Sequence, residues 1–243
     1  MTTRQSKKCG SITVTHIDDH DVLLMQMHGG DKNQSVFNPA FIKDFNDALD
    51  YVEKQKGKKS LVLTGSGKFF SAGLDLKYMG DDMSGALELS KLITKVFKRL
   101  LLLNMPTIAA LNGHTFGAGA FIAMCCDWRL MRKDCGRICF PEVKIGINVS
   151  EGWRELISLK LPPQTLRTAI LTGKQFTTSN ALSGKLIDQE LDTRPDEFIK
   201  RCIQFGQQLS PLAHNRENYS RLKMDLYYPA VNAMQHYSGI SKL

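Results

Sequence analysis

Two glycine-bearing turns carry the residue types best suited to chemistry. The first, Ala72-Gly73-Leu74, lies in the stretch "GKFFSAGLDL" (67–76), and the second, Gly117-Ala118-Gly119, lies in "HTFGAGAFIAMCCD". In each, an apolar strand pattern ends, glycine permits tight backbone geometry, and a further apolar segment follows. Small or absent side chains let main-chain N–H groups approach a ligand, and a helix start adds unsatisfied donors at the positive end of its dipole. Two such turns facing each other could hold an oxyanion, whereas either one alone is better explained as structural glycine. Neither is a phosphate loop, because Lys68 is followed by Phe69 instead of Ser or Thr, and neither matches the G-x-G-x-x-G dinucleotide pattern.

The remaining polar residues read more modestly. His114 follows the Asn112-Gly113 turn and suits a hydrogen-bonding structural role. Asp75 is placed to brace its loop or cap the next helix, and Asp127 to pair within the core with Arg129. Met79, Met83 and Met105 fit an acyl-binding wall and core packing equally well. The six cysteines include no second pair or histidine cluster at zinc spacing, so no metal site is expected.

These residues need a scaffold, and its elements are legible. With 243 residues, 42% apolar and 23% charged, the composition is that of a globular chain with a sizeable core. "SITVTHI" and "VLLMQM" read as a hairpin around a polar turn. "NPAFIKDFNDALDYVEK" reads as a helix capped by Asn38, with Pro39 in its first turn. "SLVLTG" is a strand buried on both faces, "ALELSKLITKVFKRLLLLN" an amphipathic helix, and "PTIAALNG" another strand. "WRLMRKDCGRICF" is read as extended. Beyond about residue 150 the strand signals fade into helical segments punctuated by proline and glycine.

The N-terminus lacks the apolar stretch of a secretory signal, and no apolar run reaches membrane-spanning length. An intracellular, soluble protein with reduced thiols and no membrane partner is therefore expected. The net charge of +8 suits an anionic partner but does not choose among nucleic acid, an acidic surface and a phosphorylated ligand. The run Lys54 to Lys59 reads as a solvated connection.

"GKFFSAGLDL", "PTIAALNGHTFGAGAFIAMCCDWRLM" and "FPEVKIGI", in this order and spacing, resemble the crotonase (enoyl-CoA hydratase/isomerase) superfamily. The resemblance implies an α/β fold, a spiral of β-β-α units over residues 1–190, with a helical C-terminal region over 191–243. It implies an acyl-coenzyme A thioester as substrate, no separate cofactor, and assembly as a homotrimer or hexamer. By similarity, the backbone N–H groups of Leu74 and Ala118 would hold the thioester oxygen. Ser71, Ala72, Gly73, Asp75 and Gly117 would line the coenzyme A side, and Arg221 and Lys223 would meet its phosphates across a subunit boundary.

Hydratases of this superfamily use two glutamates. Here the first position is Phe121, which cannot transfer a proton, and the second is retained as Glu142. A single carboxylate beside an oxyanion hole suits a proton shuttle, as in the Δ3,Δ2-enoyl-CoA isomerases of the superfamily, with Phe121 walling the acyl pocket and raising the carboxylate's pKa. Glu151 in "NVSEGW" is the second candidate base, although a helix N-terminal acid with Ser150 as cap explains it equally well. A hydratase using Glu142 and Glu151 is the runner-up. A non-catalytic acyl-CoA-binding or RNA-binding protein of the same fold ranks last, for want of an aromatic-rich RNA signature.

The sequence closes on Ser241-Lys242-Leu243, a tripeptide read by the peroxisomal import receptor. A fluorescent protein fused to the N-terminus is expected to accumulate in the peroxisomal matrix, and to remain cytosolic once Ser241 to Leu243 are deleted. Unchanged localisation after the deletion would remove the tripeptide as the signal.

Overall fold

The computed structural model describes residues 5–17, 20–29, 34–80 and 85–236; Met83 and the Ser241 to Leu243 tripeptide lie outside them. The chain begins as an antiparallel meander of β1 (Ser6–Cys9), β2 (Ile12–Ile17) and β3 (Val22–Met27). A two-residue strand β4 (Val36–Phe37) leads into helix α1 (Pro39–Lys54). Asn38 caps this helix as its sequence predicts, its side-chain oxygen accepting the Phe41 N–H at 2.9 Å, and Phe41, Phe45, Ala48, Leu49 and Val52 are buried.

Strand β5 (Ser60–Thr64) is buried throughout and runs parallel to β3. The first glycine turn follows as β6 (Phe69–Ser71) and β7 (Gly73–Leu74), then α2 (Leu76–Met79) and the long α3 (Ala86–Leu101). Strand β8 (Thr107–Leu111), the short β9 (His114–Phe116) and helix α4 (Ala118–Cys125) deliver the second turn. Every residue of α4 is buried, which accounts for a sequence apolar on all sides. Strands β10 (Trp128–Arg132) and β11 (Ile138–Cys139) precede α5 (Glu142–Ile145), α6 (Glu151–Lys160), α7 (Pro163–Thr172) and α8 (Thr178–Ser183). A last strand, β12 (Gln189–Leu191), is followed by α9 (Pro195–Leu209), α10 (Arg216–Leu226) and α11 (Tyr228–Gln235).

The main sheet has the order β1-β2-β3-β5-β8-β10-β12, parallel from β3 onward. The period-2 alternation of strands divides its side chains between two faces. Leu61, Leu63, Ala109 and Leu111 face the larger core with α1, α3 and α4, while Val62, Ile108, Ala110 and Leu130 pack under Phe198, Cys202 and Ile203 of α9. The short strands form two smaller sheets, β11-β9-β6 and β4-β7, and these carry both glycine turns.

The two edge strands of the main sheet, β1 and β12, have no counterpart in the sequence reading. Both are short and polar, and β1 exposes two lysines, a composition that protects an edge from further pairing but erases the apolar alternation by which strands are recognised.

The buried charges also pair differently from expectation. Asp127 pairs with Lys223 of α10 at 2.8 Å, with side chains only 10% and 6% exposed, and accepts from the backbone and hydroxyl of Thr107. Arg129 instead reaches Asp188 at 2.9 Å. Lys223, expected at coenzyme A phosphates, donates to the Met105 carbonyl inside the fold, and Arg221 pairs with Glu217 one turn away on the exposed face of α10. Removing one member of a buried pair leaves an uncompensated charge. Lys223→Met is therefore expected to destabilise by roughly 3–5 kcal/mol in urea unfolding, and Asp127→Asn combined with it to recover part of that loss. Equal stabilities for wild type and Lys223→Met would rule the pair out as a structural element.

Candidate active site

The two glycine turns abut backbone to backbone. Gly73 has φ +97°, and a Cβ there would sit 2.8 Å from the Phe116 carbonyl oxygen and 3.3 Å from the Ala118 nitrogen. A Cβ on Gly119 would lie 2.7 Å from that of Ser71. Both positions therefore demand glycine for close approach. Gly117 demands it for conformation, with φ 51° and only an ordinary 3.9 Å contact to Pro141 at its would-be Cβ.

This contact aims main-chain donors. The Gly73 N–H donates to Ser71 Oγ at 3.1 Å and the Asp75 N–H to the Phe37 carbonyl at 3.0 Å. Leu74, between these two residues, lines the cavity that both turns border. Ala118 opens α4, and the first free N–H groups of a helix lie at this end. The Gly117 carbonyl accepts the Ala120 and Phe121 N–H groups, which starts the helix directly behind Ala118.

Both turns border one cavity of about 260 Å³. Its walls are mostly apolar, with Leu76 and Met79 of α2, Phe116, Ile147 and Trp153 among them, and Lys144 and Gln175 supply polar groups. Glu142 is the only carboxylate among the described residues that line it. The residue is 5% exposed, and its Oε2 has no hydrogen-bond partner among the described residues. Burial disfavours the anion and pushes the Glu142 pKa up to about 7, a rise its own backbone N–H only partly offsets. A carboxyl titrating near neutrality, with one oxygen uncommitted, can both take and return a proton.

Of the residues singled out from sequence, Ala72, Leu74, Met79, Gly117, Ala118 and Glu142 meet at this cavity. Gly73 and Ser71 are buried just behind it, where the Ser71 hydroxyl donates to the Ser35 carbonyl at 2.7 Å. Asp75 caps α2, accepting from the Lys77 and Tyr78 N–H groups, so its carboxylate is already engaged. His114 packs its ring on Phe69 and Phe116.

Two of the residues singled out from sequence are not among those lining the cavity. Phe121 is fully buried, and its ring lies 5.0 Å, centre to centre, from that of Trp153, which does line the cavity, with Phe97 and Phe140 closing the cluster. Glu151 lies outside the cavity, with its side chain 58% exposed and 3.7 Å from Arg154. It occupies the first turn of α6, where an acid complements the helix dipole, and Ser150 holds the cap position without a side-chain cap bond. Met105 is core. The residue that sequence reasoning missed is Trp153: within "EGWREL" it reads as a helix residue, and only the packing of α6 against α3 and α4 turns it to the cavity.

Comparisons with known proteins bear on the family and the fold. Enoyl-CoA delta isomerase 3 of Arabidopsis thaliana is 32% identical over 213 residues, covering 85% of this chain and 89% of that protein. Enoyl-CoA delta isomerase 2, peroxisomal, of the same plant is 29% identical over 215 residues, covering 85% and 89%. Among solved structures, an apo enoyl-CoA isomerase of Mycobacterium tuberculosis superposes with a TM-score of 0.83 at 25% identity, over 93% of this chain and 95% of that one. An enoyl-CoA hydratase from Mycobacterium ulcerans gives 0.82 at 25% identity, over 93% and 96%. Residues 18–237 match the Enoyl-CoA hydratase/isomerase family, and with these relatives the chain belongs to that family and has its crotonase-like α/β fold.

Proposed function

We propose that the protein is a Δ3,Δ2-enoyl-CoA isomerase in which Glu142 carries the proton. The observation behind this reading is a buried carboxyl with an unpartnered oxygen, the only carboxylate among the described residues lining the cavity; in this reading the N–H groups of Leu74 and Ala118, which line the same cavity, form the oxyanion hole. With a 3-enoyl thioester in the cavity, ionised Glu142 removes a proton from the α-carbon. The electron pair spreads over the diene to the thioester oxygen, which the two N–H groups receive without reorganising. Protonated Glu142 then returns its proton to the γ-carbon, leaving the double bond conjugated at C2 and regenerating the carboxylate. Apolar walls keep water from the intermediate. Relatives that bear the isomerase name support the assignment.

Hydration of a 2-enoyl-CoA is the second reading, favoured by the structural likeness to an enoyl-CoA hydratase. It requires a further group to orient water, and Glu151 stands away from the cavity.

Three outcomes test the proposal. Purified protein is expected to convert trans-3-hexenoyl-CoA to its conjugated isomer, and Glu142→Gln to lose roughly 10²–10⁴-fold in kcat while Glu151→Gln keeps wild-type turnover. Brisk hydration with no isomerisation by wild type would overturn the assignment.

Because the base must be ionised, kcat/KM is expected to rise with pH to a plateau above about 7, falling about tenfold per unit below it. The same shift acts on stability with the opposite sense. A carboxyl whose folded pKa is raised stabilises the fold while protonated, and that contribution is lost as pH climbs from the usual glutamate range to about 7. Glu142→Gln should therefore melt higher than wild type at pH 8, with a smaller difference at pH 5.

Side-chain truncation leaves a backbone donor in place, so Ala118 calls for proline. As the first residue of α4 it can accept proline without breaking the helix. Ala118→Pro is expected to keep its circular dichroism spectrum and lose roughly 10²–10³-fold in kcat. Full activity in a folded variant would exclude that N–H from the chemistry.

A further inference from the structure

We infer that the Trp153 indole is a specificity-determining partition: it closes the catalytic cavity at a fixed depth and separates it from a second cavity that a longer acyl chain could enter. This rests on the acyl-thioester reading above. Trp153 lines the catalytic cavity and is 2% exposed. Its Nε1 donates to Thr94 Oγ1 at 2.8 Å. Thr94, in turn, lines a separate groove of about 530 Å³ between α3 and α11, with Lys91, Lys95, Lys98, Met234 and His236. One hydrogen bond thus joins the wall of one cavity to the wall of the other.

The indole is held rigidly in this place. Phe97 and Phe121 pack on it with ring centres 4.9 and 5.0 Å away. The Thr94 hydroxyl is fixed by donating to the Ser90 carbonyl at 2.6 Å. The adjoining Gly152 has no Cβ, and one placed there would lie 2.6 Å from Met234 Cγ, so α11 closes tightly on α6 beside the tryptophan. In the groove beyond, whose lining also includes Gln235, an acyl tail would lie on Met234 and on the stems of polar side chains. Met234 is an adaptable contact, and the three lysines, at i, i+4 and i+7 of α3, can lay their methylene stems along a chain while their charges stay in water.

The test uses saturated probes, so that binding is read apart from turnover. Dissociation constants for hexanoyl-CoA and tetradecanoyl-CoA are measured by calorimetry on wild type, Trp153→Ala, Trp153→Leu and Thr94→Val. Opening the partition with Trp153→Ala is expected to shift the preference towards tetradecanoyl-CoA by about tenfold or more, with Trp153→Leu shifting it less. Thr94→Val keeps the shape while removing the hydrogen bond, and is expected to shift preference in the same direction by the smallest amount. Should Trp153→Ala fail to fold, the other two variants decide.

Folded variants with the wild-type preference would overturn the partition, as would wild type binding neither probe. Wild type that binds both probes and isomerises no 3-enoyl-CoA would refute the isomerase reading, while a shifted preference in the variants would still sustain the partition. Since the chain has two tryptophans, Trp128→Phe leaves Trp153 as the only tryptophan, and under selective tryptophan excitation hexanoyl-CoA is expected to change its fluorescence. An unchanged spectrum at saturating hexanoyl-CoA would place the acyl chain elsewhere and overturn the inference.

Discussion

The site depends on one close approach, that of the Gly73 backbone to the start of α4. Leu74 and Ala118 belong to segments 44 residues apart in sequence, and what lets both line one cavity is the absence of side chains between those segments. Any residue with a Cβ at 73 would push against the Phe116 carbonyl and drive the two turns apart, besides being strained at φ +97°. Gly119 plays the matching part from the other turn, against Ser71. Ser71 then locks the arrangement by bridging the Ser35 carbonyl and the Gly73 N–H with one hydroxyl. Donors fixed in this way need no reorganisation when charge develops, which is what gives a preorganised dipole its value.

Glu142 stands in tension with the fold that holds it. A buried carboxyl with an uncommitted oxygen destabilises its ionised form, and no cation or hydroxyl among the described residues is bonded to its Oε2. A neutral, well-bonded side chain at that position would make a more stable protein. In the proposed isomerase the same desolvation brings the carboxyl's pKa near neutrality, where it can accept and release a proton with little bias either way. Stability given up at one residue is a recurrent feature of sites built for proton transfer.

Sequence legibility followed physical scale. Helix α1, with its Asn38 cap, and helix α3, with its apolar stripe, are determined by local spacing and capping, and both were readable. So was the doubly buried β5, whose continuous apolar run reflects cores on both faces of the sheet. The glycine turns were readable as backbone features, yet their contact was not, since it depends on how two strands of a separate small sheet lie side by side. Phe121 and Glu151 mark the limit most clearly. Each is at a sequence position suggestive of chemistry, but one is buried against the Trp153 ring and the other is exposed to solvent, placements that depend on how α6 sits on the core. The partner of Asp127 lay 96 residues away, whereas Arg129, two residues along, points into a different bond network.

Helix α4 links these observations, because it is held at both ends by different physics. Its N-terminus is fixed by the glycine contact, where Ala118 lines the cavity. Beyond its C-terminus, the Cys126 carbonyl accepts from Arg129 Nη1 at 3.1 Å and from Lys160 Nζ at 3.2 Å, cations placed where the helix dipole favours them. Burial lowers the Lys160 pKa to about 8, and its ammonium also donates to the Tyr227 hydroxyl at 2.6 Å, tying α6 to the junction of α10 and α11. Next along the chain, Asp127 takes Lys223 from α10. A buried ionic cluster of this kind contributes little net stability compared with apolar packing, but its geometry is specific. It fixes the axial position of α4, and hence where Ala118 stands relative to Leu74. The C-terminal helices thereby act on the cavity from its far side: α10 and the α10–α11 junction anchor the end of α4, and α6, held by the same cluster through Lys160, brings Trp153 to the cavity wall.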